Sequence, residues 1–69
     1  GAHADSTETG RVRVGDRGVA FTDLRPAGKA EINDDIYDVI TENEFLERGS
    51  PVVVTLVRGN WIVVSRNET

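Results

Sequence analysis

The sequence predicts an all-β domain of five short strands curled into a single barrel. From Arg11 onward, apolar and polar residues alternate in short runs with period two, not with helical spacing. Gly, Asp, Asn and Pro separate those runs at turn-like intervals. The chain has 69 residues, too few to fill two well-covered sheets, whereas closure into one barrel removes exposed edges around a single core.

Residues 1–10 read GAHADSTETG, which is polar and without periodicity, and we expect a mobile tail or a cloning remnant there. Val12 and Val14 then alternate with Arg11 and Arg13 until Gly15-Asp16 ends the run. A first strand is expected over 18–22. Arg25-Pro26-Ala27-Gly28 reads as a turn, because proline fixes φ and pushes the preceding residue extended. A second strand over 29–32 places Ala30 and Ile32 on one face. Asn33-Asp34 is a two-residue hairpin signal, since both side chains tolerate positive φ. The partner strand, 36–40, turns Tyr37 and Val39 inward, because the other face would bury Asp38. Segment 41–50, TENEFLERGS, predicts one short helical turn capped by Thr41 and Glu44, dropping Phe45 and Leu46 onto the core. Pro51 opens a fourth strand over 52–57, Arg58-Gly59-Asn60 turns, and a fifth strand follows over 61–65. Val52, Val54 and Leu56 share one face of that hairpin with Ile62 and Val64, leaving Trp61 and Val63 outward.

Five strands in this space, with glycines placed for bends, predict a Greek-key barrel of the OB type, with an SH3-like barrel as the alternative. The barrel is expected over 11–66, with a frayed end at 67–69. Its expected core is Ala20, Leu24, Ala30, Ile32, Tyr37, Val39, Phe45, Val52, Val54, Leu56, Ile62 and Val64.

Composition narrows the chemistry. There is no cysteine, and the single histidine, His3, precedes the folded part. A Ser-His-Asp or Cys-His site within the barrel is therefore excluded, as is a multi-histidine metal site. We expect no catalytic residues, no cofactor and no metal. Asp34, Asp35 and Asp38 cluster without the spacing of a calcium loop and read as solvated turn carboxylates. The net charge of −4 is a poor match for phosphate-rich partners. The longest apolar stretches, 52–54 and 61–64, fall far short of the ~18 residues that span a bilayer. No charged region followed by an apolar core marks a signal peptide.

Several features together resemble the C-terminal soluble domain of the NfeD family. They are Gly18, Ala20 and Thr22, then Leu24-Arg25-Pro26 and Gly28. Next come Tyr37-Asp38-Val39, Glu44-Phe45-Leu46 with Gly49, and Val52 with Val54. Gly59 and the closing Ile62-Val63-Val64 complete the set, which spans roughly residues 15–64. Asn33-Asp34 departs from the glycine the family commonly has at that hairpin. The resemblance implies an OB-fold barrel tethered to a membrane by preceding transmembrane helices, which this chain lacks. It also implies association with a stomatin- or flotillin-like scaffold or with a membrane protease. The expectation is a non-catalytic interaction domain of a membrane-anchored protein, regulating membrane protease activity and lying on the cytoplasmic side.

Outward Trp61 and Val63, with Arg25 in the first turn and Arg58 in the last, are the candidate partner contacts. The competing reading of 24–28 is purely conformational, and Trp61 has an alternative role covering a barrel end. Arg11, Arg13 and Arg17 form a basic group that would lie near a membrane surface in a tethered domain, or simply a solvated linker. Single-stranded oligonucleotide binding is the alternative function, because OB barrels offer stacking grooves. It is disfavoured by the negative charge and the four aromatic residues, two of which are needed for the core.

Overall fold

A computed structural model describes residues 12–68. Among them are five strands and no helix: β1 Arg17–Ala20, β2 Ala27–Ile32, β3 Asp35–Thr41, β4 Pro51–Arg58 and β5 Trp61–Arg66. They close into a barrel in the order β1-β2-β3-β5-β4, the OB-type arrangement that the sequence predicts. All neighbours are antiparallel except β3 and β5, which run parallel and meet only at Ile40↔Val63 and Thr41↔Val64. The expected tail at 1–10, together with Arg11 and Thr69, lies outside the described residues.

The β2–β3 hairpin follows from its residues. Asn33 and Asp34 take φ of 54° and 71°, the pair of positive values that a tight two-residue connection requires. Strict alternation then buries Ala30 and Ile32 on β2 and Tyr37 and Val39 on β3. β1 lies so close to β2 that a Cβ at Gly18 would fall 2.1 Å from the Glu31 carbonyl oxygen, so only glycine fits. β1 ends at Ala20, earlier than expected. The amides of Phe21 and Thr22 both donate to the Lys29 carbonyl, which sets two residues against one and turns Phe21 outward, 53% exposed. The Arg25-Pro26 peptide bond that follows is cis.

The helical turn expected in 41–50 is absent. The Thr41 hydroxyl donates to the Glu44 carbonyl instead of accepting from an amide, and Asn43 sits at φ 60°. Both features oppose a continuing helix. Leu46 instead forms a two-bond bridge with Leu24, at 2.8 and 3.1 Å. An extended backbone sends successive side chains to opposite sides. Leu46 therefore enters the core while Phe45, expected inside, is 74% exposed.

A second correction concerns β4. The β4–β5 register shifts between Val54 and Leu56, leaving Thr55 as an extra residue. Beyond it, Val57 packs against the interior opposite Ile62, and Leu56, expected inside, is exposed. The interior also takes in Val12, which the expected core omitted, and the buried Thr41 closes β3. Val12 is carried in by a turn that pairs Gly15 and Asp16 with Val54 through two backbone hydrogen bonds of 2.8 Å.

Candidate functional site

The barrel's outer surface carries a broad groove of about 690 Å³. Its floor comes from β2 and β3, through Ala27, Gly28, Lys29, Asp38 and Ile40. Thr22 of the β1–β2 loop borders one side, and Asn60 and Trp61 at the start of β5 border the other. This is the face of strands 2 and 3, between the first loop and the β4–β5 turn, through which OB barrels bind their ligands.

Local conformation explains the shape. Gly28 leaves the floor low: a Cβ there would sit 2.5 Å from the Asp23 carbonyl and 2.7 Å from a Leu24 methyl. The Thr22 hydroxyl, which accepts from the Lys29 amide at 3.0 Å, pins the loop to β2. Trp61 opens β5 and is 60% exposed, because inward Ile62 follows it directly. Lys29 and Asp38 face each other across the β2–β3 register and form an ion pair of 2.6 Å. Both side chains are well exposed, so the pair adds at most about 1 kcal/mol to stability. It does neutralise both charges at the groove floor.

The candidate contacts read from the sequence do not form one cluster. Trp61 lines the groove, and Arg58 is its exposed register partner on β4, just outside it. Arg25 lies exposed in the β1–β2 loop, bound to Asp23 at 3.1 Å, and does not line the groove. Val63, expected to face outward beside Trp61, is 5% exposed. At that point β5 pairs with Ile40 of β3 on one side and Leu56 of β4 on the other. Ile40, Ala27 and Asn60 are groove residues that the sequence reading did not single out. The available signal was Ile40 itself, an apolar residue on the outward face of β3 that Asp38 marks.

Charge is sharply divided along the chain. Residues 30–47 hold seven acidic side chains and no basic one, whereas 48–67 hold three arginines and no acid. Away from the groove, Asp16 accepts from the Arg13 amide and from the Asn33 side chain, each at 2.9 Å. The backbone bond from Arg13, then the Asn33 bond, hold the Asp16 carboxyl below the usual carboxylate range. Among the described residues no group of three or more His, Asp or Glu is placed to hold a metal ion. The groove thus offers an apolar, aromatic-walled surface with balanced charge at its floor.

Comparison with known proteins agrees with this architecture. Over 59 residues the chain is 41% identical to "Membrane protein NfeD1b" of Bacillus subtilis (strain 168), covering 86% of this chain and 14% of that protein. The chain thus spans about one seventh of the length of that curated relative. Its backbone superposes on the C-terminal domain of stomatin operon partner protein 1510-C from Pyrococcus horikoshii with a TM-score of 0.76. That match covers 81% of this chain and 89% of the other at 21% identity, a likeness of fold. The model of the NfeD-like C-terminal, partner-binding domain matches residues 13–66. The chain belongs to the family of NfeD-like C-terminal, partner-binding domains.

Proposed function

We propose that this barrel is a non-catalytic docking module of a membrane-anchored protein. It would hold a stomatin- or flotillin-like scaffold through the Trp61 groove and so act as an accessory to that scaffold or to a membrane protease. The observation that carries the reading is an exposed tryptophan walling an apolar groove on the ligand-binding face of the fold. The family's partner-binding description supports it. So does the stomatin operon named for the protein of similar fold. The membrane-protein relative supports a membrane anchor in the whole protein, and we place the barrel on the cytoplasmic side.

An NMR titration of the isotope-labelled chain with the extra-membrane part of a stomatin-like protein from the same source tests this. A mixed-sequence single-stranded oligonucleotide is titrated in parallel. We expect shifts confined to Ala27–Lys29, Asp38–Ile40 and Trp61 with the scaffold. Trp61→Ala should weaken that binding at least ~10-fold, about 1.4 kcal/mol. Salt-sensitive shifts with the oligonucleotide alone would replace the scaffold reading with nucleic-acid binding.

A further inference from the structure

We propose that the outer edge of β3 captures an extended, basic segment of the partner as an added β-strand, with Trp61 gripping an apolar side chain of that segment. This deepens the docking reading above and rests on it.

The barrel is closed by very little pairing at this seam. β5 pairs with β3 only at Ile40 and Thr41, so among the described residues no strand pairs with 35–39 on the side away from β2. The hairpin fixes which main-chain groups face that side. A two-residue connection makes its closing pair, Ile32↔Asp35, a hydrogen-bonded one. Hydrogen-bonded and non-hydrogen-bonded pairs then alternate, so Glu31↔Ile36 and Lys29↔Asp38 are non-hydrogen-bonded. The N–H and C=O groups of Ile36 and Asp38 therefore point away from β2, toward the unpaired side. An unpaired strand edge is a template for another strand. The groove containing Asp38, Ile40 and Trp61 opens on this same seam. Ile36 adds apolar surface, being 45% exposed.

Charge selects the occupant. Asp34 and Asp35 at the start of β3, and Glu42 and Glu44 beyond its end, lie within a stretch of chain that has no basic residue. Asp38, between them, is already paired with Lys29 of β2. A strand alternating lysine or arginine with apolar residues would set its cations against this acidic edge and its apolar side chains against Ile36 and Trp61. The same acids oppose the identical edge of a second copy, and they oppose an oligonucleotide.

The test uses the full chain and two capped peptides of about seven residues, one alternating lysine and valine, the other glutamate and valine. Binding of the lysine peptide should slow amide exchange at Ile36 and Asp38 roughly tenfold or more and shift the Trp61 emission, while the glutamate peptide does neither. Ile36→Pro deletes one outward N–H without touching the β2 ladder and should abolish capture. Asp35→Lys combined with Glu42→Lys, both at exposed positions, guards against misfolding of the proline variant and should reverse the preference between peptides. Equal binding of both peptides, or lysine-peptide binding without protection at Ile36 and Asp38, overturns the proposal. A stomatin-like protein that binds the parent and both variants alike overturns strand addition and leaves the docking reading standing. Peptide capture with no response to that protein upholds strand addition and removes the scaffold as the partner.

Discussion

The two hairpins of this barrel differ in composition and still more in regularity. In β2–β3 every pair is in register from Ala27↔Ile40 to Ile32↔Asp35, and inside and outside alternate without a break. In β4–β5 one extra residue, Thr55, interrupts the ladder, and both sides of the break are reassigned. Leu56 comes out, Val57 goes in, and Val63 is buried. A regular ladder lets side-chain chemistry alone report direction, because Lys29 and Glu31 on β2 and Asp38 on β3 exclude one face. In β4, 52–57 reads VVVTLV, apolar on both faces, and nothing in it marks the bulge. The bulge exists because a short sheet must bend to close.

Deep truncations should strike both hairpins alike. Ile32→Ala and Ile62→Ala each remove a side chain at most 1% exposed and should cost about 2–5 kcal/mol in urea or thermal unfolding. A cost under about 1 kcal/mol at either would mean that one hairpin does not belong to the common core. Gly18→Ala should follow at about 1–3 kcal/mol, since its new methyl meets the β2 backbone, which cannot swing aside. The bulge itself is tested by a paired comparison. Val57→Ala should cost about 1 kcal/mol and Leu56→Ala less, although leucine is the larger residue; the reverse order would restore unbroken alternation. At the regular hairpin, Asp34→Gly should stabilise by about 0.5 kcal/mol, because glycine holds φ near 71° without strain.

The smallest effect is one of pH and concerns the contact that ties the N-terminal turn to the β2–β3 connection. Asp16 has a lowered carboxyl pKa in the folded barrel, so its contribution is fully present above the unfolded value of about 3.9 and is lost as pH falls through the folded one. Unfolding curves of the parent and Asp16→Asn should therefore differ at neutral pH and converge in acid below about pH 4. A gap that persists unchanged in acid would assign the effect to packing rather than charge.

The candidate site was half legible. Trp61 declares itself because alternation from buried Ile62 and Val64 sends it outward. Its groove does not declare itself, since Thr22, Ala27, Ile40 and Asn60 meet only after three separate segments have been folded together. Phe45 and Leu46 show the same limit: adjacent apolar residues in a short acidic loop suit either one helical turn or one bridge. The bridge to Leu24, distant in sequence, decided which side chain entered the core.

Local rules sufficed for the all-β class, the five strands, the Asn33-Asp34 connection, and the inward faces of β2 and β3. Each of these depends on side-chain alternation or on backbone preferences spanning a few residues. Three features were settled by the folded barrel alone. They are the bulge at Thr55, the choice of Leu46 over Phe45, and the short β3–β5 seam that leaves one edge of β3 beside the Trp61 groove. All three arise from closing a small sheet on itself. Closure is a constraint between distant residues, and neither alternation nor turn chemistry along the chain encodes where the mismatch will fall.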